Sequence, residues 1–195
     1  MKYQKIAKFI KKRKLLFIGS YGGEQWISDG CAAFPIIGMP KMNDKEILTF
    51  LGFSEDDNIL VSDLPCEGRL TDTADGEELI KDFGPVVLSG DSELQSLYTS
   101  LGALLINSAY IAPLYSHKGE GELRYYLRLD GNHAPYIAVK KGLYLIALIY
   151  PVATWTEGED IADRYGKFVE RLSVANFNFG DDEAAEPEEN EEDEE

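Results

Sequence analysis

Residues 2–36 read KYQKIAKFIKKRKLLFIGSYGGEQWISDGCAAFPI, and this stretch decides the fold. Tyr3, Ile6, Ala7 and Ile10 recur at the 3,4 spacing of one helical face, and no Gly or Pro interrupts residues 2–13. Three short strand-like runs follow at Leu15–Ser20, Glu24–Ser28 and Cys31–Ile36. Tyr21-Gly22-Gly23 and Asp29-Gly30 separate them, and Asp-Gly between apolar runs is a strong hairpin cue. The stretch reads as a helix followed by a three-strand meander.

A second block repeats the rhythm. Ala103–Ile106 reads as a strand. Asn107 or Ser108 caps a short helix through Tyr115, although Pro113 strains its later part. Strands Glu122–Leu129, Pro135–Val139 and Leu143–Val152 follow, with turns at Asp130-Gly131-Asn132 and Lys140-Lys141-Gly142. The two blocks share a pattern and negligible identity. Between them, Asn43 caps a helix at Asp44–Leu51 that Gly52 ends. Ile59–Ser62 reads as a strand and Asp75–Phe83 as a helix stopped by Gly84-Pro85. Pro85–Ser89 reads as a strand. A further helix runs from Asp91 or Ser92 to Leu101, closed by Gly102. The expected class is α+β, with a mostly antiparallel sheet, helices on one face, and two helix-plus-three-strand units within residues 1–155.

Residues 156–176 form an expected C-terminal amphipathic helix packed on the body. Thr156 and Glu159 fit a capping box, and Ile161, Tyr165, Phe168 and Leu172 recur at 4,3,4 spacing. Residues 177–195 read as a disordered acidic tail, because almost no apolar residue offsets the entropy of ordering them.

Charge divides the chain more sharply than its total does. The net charge is −16, but residues 181–195 alone hold eleven acids and no base. Without them the balance is 24 acids against 19 bases. The first 14 residues carry seven bases and no acid: Lys2, Lys5, Lys8, Lys11, Lys12, Arg13 and Lys14. A basic element on an acidic body sets a local field that partners feel. Cys31 and Cys66 are the sole cysteines and read as free thiols of a reducing, cytoplasmic compartment. The basic start is not followed by the apolar run of a secretory signal. The most apolar run, Gly142–Val152, is too short to span a bilayer. No membrane partner is expected.

Catalytic signals are sparse. His117 and His133 lack Cys, His or acidic neighbours at metal-ligand spacing, so neither a metal nor a cofactor is implied. No phosphate-binding glycine loop, nucleophile elbow or zincin motif appears. The triplet Glu55-Asp56-Asp57 reads as a solvated loop before it reads as a cation site. Cys31 has nothing beside it in sequence that marks a base, and a small buried residue accounts for it. A non-enzymatic protein is expected.

Three stretches carry a family resemblance. Glu24-Gln25-Trp26-Ile27-Ser28-Asp29-Gly30, Ile106-Asn107-Ser108-Ala109-Tyr110-Ile111-Ala112-Pro113-Leu114 and Leu145-Ile146-Ala147-Leu148-Ile149-Tyr150-Pro151-Val152 together resemble segments of the bacterial DNA sliding clamps. The resemblance implies a clamp-like fold of two helix-plus-meander units, with helices that face DNA through basic side chains. It also implies a role linked to DNA replication. This chain departs from the clamp pattern in two places: no strand precedes the first helix, and extra elements fill residues 39–100. A ring of chains this size would be a homo-oligomer with more copies than usual.

The leading expectation is therefore a nucleic-acid-associated binding protein. Lys5, Lys8, Lys11, Lys12 and Arg13 would contact phosphate with little sequence preference. The plain alternative for these lysines is the solvated face of an amphipathic helix. The alternative function is an acidic protein-interaction module, in which body and tail engage a basic protein partner by imitating the charge of DNA.

Overall fold

The first helix, α1, spans Tyr3–Arg13 and buries Ile6, Ala7 and Ile10. Those residues form the stripe that the 3,4 spacing marks out. Lys11, Lys12 and Arg13 occupy its last turn, where cations complement the negative end of the helix dipole. Lys14 then turns left-handed, at φ 54°, and stops the helix.

The computed structural model describes residues 1–65, 67–90, 92–115, 122–131 and 133–154. They belong to one unit, Met1–Gly158. The expected C-terminal helix, the acidic tail, Cys66 and His117 lie outside the described residues.

Three strands leave α1 as a meander: β1 (Leu15–Tyr21), β2 (Glu24–Ser28) and β3 (Ala32–Ile36). A second helix, α2 (Asp44–Phe50), follows, and then β4 (Leu60–Asp63), β5 (Glu78–Ile80), β6 (Asp82–Ser89), β7 (Ser92–Thr99) and β8 (Gly102–Asn107). A 3-10 turn at Ser108–Tyr110 leads to β9 (Leu123–Leu129), β10 (Pro135–Lys141), β11 (Tyr144–Ile149) and the two-residue β12 (Ala153–Thr154).

The strands form two sheets. The larger is mixed, in the order β4-β1-β2-β3-β11-β10-β9-β5, and the smaller is antiparallel, β12-β8-β7-β6. Six central strands of the large sheet read as a palindrome, one meander meeting the other where β3 pairs antiparallel with β11. The repeated pattern in the sequence is thus built as two meanders joined edge to edge. The class is α+β and mostly sheet.

Alternation sends side chains to both faces of the large sheet. One face gathers Ile27, Ala32, Phe34, Ile137, Val139 and Ile149 with Ile6 and Ile10 of α1, Ile47 of α2, and Leu97, Leu104 and Ile106 of the small sheet. Both helices therefore lie on this face. The other face holds Trp26, Ala33, Tyr136, Ala138, Leu145 and Leu148 under Leu64 and Leu70. A bulge at Val139/Lys140 explains why the adjacent residues Ile146 and Ala147 both enter the first cluster.

Two expected helices are strands. Residues 75–83 carry good helix formers, but Glu78–Ile80 pairs with Tyr125–Leu127 and buries Ile80. Residues 92–101 place Leu94, Leu97 and Leu101 at helical spacing, but β7 is clamped between β6 and β8. Long-range pairing overrides local preference in both. Gly102, expected to close a helix, instead turns one hairpin at φ 99°, and Gly90 turns the other at φ 52°. The short helix expected through Tyr115 reduces to a 3-10 turn at Ser108–Tyr110 and further turns, as Pro113 requires.

Candidate nucleic-acid interface

Successive positions on a helix advance by 100°, so Lys5, Lys8 and Lys12 fall within a narrow arc opposite Ile6 and Ile10. All three are exposed. The row runs about 10 Å along the axis, close to three phosphates of one duplex strand. Burial of the apolar stripe fixes this orientation, because turning the lysines inward would expose the isoleucines.

The other two expected contacts are already engaged within the fold. Lys11 Nζ lies 2.7 Å from Asp57 Oδ1. That hydrogen bond, with one from the Ser54 N–H, holds the Asp57 carboxyl below its ordinary range. Arg13 Nε lies 3.2 Å from Asp29 Oδ2, and Asp29 is buried. The structure thus groups Lys5, Lys8 and Lys12 and sets Lys11 and Arg13 apart.

Asp29, expected as a turn residue, does more than turn the chain. Its Oδ1 accepts from the N–H groups of Cys31 and Ala32, and its Oδ2 accepts a 2.6 Å bond from the Tyr110 hydroxyl. One carboxylate therefore ties α1, the β2–β3 turn and the 108–110 turn together. Cys31 sits beside this group. Burial pushes its thiol up, Arg13 opposes that, and Asp29 adds to it, leaving the pKa above its ordinary value. A thiol held protonated is a poor nucleophile.

α2 contributes a second wall. Its Asn43 and Glu46 form a reciprocal capping box, with Asn43 Oδ1 accepting from the Glu46 N–H and Glu46 Oε2 from the Asn43 N–H. Between the helices lies a groove of about 560 Å³ lined by Met1, Lys2, Tyr3, Lys5, Lys8, Phe50 and Leu51 among others. Tyr3 and Phe50 meet edge to face at 5.1 Å in this groove. Sequence reading identified the lysines but not Phe50. Its helix was legible; its proximity to Tyr3 depends on the tertiary path.

His133 is exposed in the β9–β10 turn at φ 59°, where its N–H donates to the Asp130 carbonyl. Among the described residues, no three His, Cys, Asp or Glu side chains gather as a metal site would require. No helix among them is long and apolar enough to cross a membrane. No protein-family model, curated protein or solved structure matches the chain.

Proposed function

We propose that this chain is a non-enzymatic nucleic-acid-binding protein that uses α1 to hold phosphates. The observation that carries the reading is the exposed row Lys5–Lys8–Lys12, which makes no ion pair with a described residue and is presented by a helix whose other face is core. Lys11 and Arg13 play a secondary part, since each already faces a carboxylate. The two paired meanders are the feature that suggests a clamp-like architecture, and a replication role would follow only from that likeness. A departure stands beside it: residues 108–115, which precede the second meander, carry no basic side chain. Among the described residues, the segment that leads into the second meander therefore offers no matching phosphate row.

Fluorescence anisotropy with labelled DNA tests the reading. Three phosphate contacts give a salt slope near −2.7, so affinity should fall about 40-fold between roughly 50 and 200 mM salt. The triple substitution Lys5→Gln, Lys8→Gln, Lys12→Gln should remove the salt-sensitive binding. Ending the chain at Gly180 removes the eleven acids of residues 181–195 and should strengthen binding by reducing overall repulsion. Absence of binding at low salt by both the full chain and the shortened one would sink the proposal.

A further inference from the structure

We infer that the groove between α1 and α2 takes a single strand rather than a duplex, with an unpaired base stacked on Phe50 and the adjoining phosphates on Lys2, Lys5 and Lys8. The inference rests on the nucleic-acid reading above and adds the class of ligand.

The groove combines two chemistries that a duplex cannot use together. Its lysines suit phosphate, while Tyr3, Phe50, Leu51 and Met1 give it aromatic and apolar surface. A duplex keeps the faces of its bases inside the stack and presents a charged backbone to such a surface. A single strand has both a phosphate chain and free base faces, and stacking on an aromatic ring tolerates any base. Phe50 is half-buried: it packs against the core and leaves part of its ring beside the ammonium groups.

The ring is also held in place. Phe50 and Tyr3 pack edge to face, with 63° between the ring planes. The Tyr3 hydroxyl in turn accepts from the Ile37 N–H at 2.8 Å and donates to the Pro35 carbonyl. Phe50 thus rests on a fixed support at the C-terminal end of α2, which limits the ordering cost of stacking. Phe50 also borders a second surface depression with Asn43, Lys45, Glu46 and Thr49. In that depression Lys45 and Glu46 balance in charge. Glu46 lines the same depression and accepts from the Asn43 N–H.

The test compares a labelled oligothymidine with a duplex of equal length, using the full chain at low salt. The single strand should bind at least several-fold more tightly. Phe50→Leu keeps an apolar side chain against Tyr3 but removes the π face, and should cost the single strand about tenfold while leaving the duplex unchanged. Phe50→Tyr restores an aromatic face and should restore binding. Thermal melts of both variants control for folding. Equal affinity for the two ligands overturns the inference and leaves the phosphate reading standing. So does an equal loss in the Leu and Tyr variants. Failure of the unmodified chain to bind either ligand overturns both.

Discussion

The two halves of the large sheet repeat a topology and differ in what precedes it. The first meander follows α1, eleven residues long and rich in lysine. Ahead of the second, residues 108–115 form a 3-10 turn and further turns and carry no basic side chain. Both lead-in segments deliver apolar side chains to the same cluster, Ile6 and Ile10 from one, Tyr110 and Leu114 from the other. The packing task is therefore shared, and it is met without charge in the second half. The lysines of α1 are not something the architecture demands. Arg124 and Glu122 of the second half are exposed, but two of its cations lie inward. Arg128 and Lys140 are buried on the opposite face of the sheet, and Glu77 pairs with both. Arg128 also donates to the carbonyls of Thr71 and Asp72, fastening the segment that crosses that face.

The largest expected effect lies in that inward charge. Glu77→Gln leaves two buried cations without their shared carboxylate. We expect a loss of about 3 kcal/mol, at the low end for breaking a buried pair because Glu77 keeps some contact with water. Burial pushes the Glu77 carboxyl up, but Lys140 and Arg128 outweigh it and hold the pKa below its ordinary value. The stabilisation is thus complete above the unfolded value, near 4.3, and is lost as pH falls through the lower folded value. Urea denaturation at neutral and acid pH should show the substituted chain losing stability at neutral pH and losing part of its acid sensitivity. A neutral-pH loss below about 1 kcal/mol would contradict the contrast between an inward-charged and an outward-charged half.

A smaller effect is expected at the joint between the halves. Asp29→Ala removes the acceptor of the Tyr110 hydroxyl and of two turn N–H groups. Leaving those donors unmet in a buried site should cost about 2 kcal/mol. If the palindromic sheet folds as one body, calorimetry should still show a single transition at a lower Tm. A melt resolved into two steps would mean that the halves hold together less tightly than the shared core implies.

Local patterning made the first half legible. The α1 stripe, the two turns after it and the Asn43 cap are all short-range signals, and each corresponds to an element of the structure. The repeated rhythm also pointed to the paired meanders. The small sheet was largely hidden. Leu94, Leu97 and Leu101 have helical spacing, and what makes β7 a strand is pairing with β6 and β8. Ser89-Gly90-Asp91-Ser92 was the overlooked cue, since a glycine between two short runs is a hairpin signal. At the candidate interface, residue type and helical phase identified Lys5, Lys8 and Lys12. Neither could reveal that Asp57 and Asp29 reach Lys11 and Arg13, because those acids arrive from loops remote in sequence.

The smallest expected effect tests whether the α1 charges serve a partner and not the fold. Lys11 is exposed, and although the Asp57 side chain is only 14% exposed, a pair whose cation stays in water contributes little. Lys11→Gln should therefore leave Tm unchanged within error. Asp57→Asn should also leave the fold intact, but it frees an ammonium group one turn from Lys8. If α1 is a phosphate-binding face, that freed charge adds a contact, and the salt slope of DNA binding should steepen by about one. Combining it with Lys11→Gln should cancel the change. A slope that stays constant in Asp57→Asn would mean that Lys11 points away from the ligand. A clear loss of stability in Lys11→Gln would mean that the lysines of α1 are structural, and the distinction drawn between the two halves would fail.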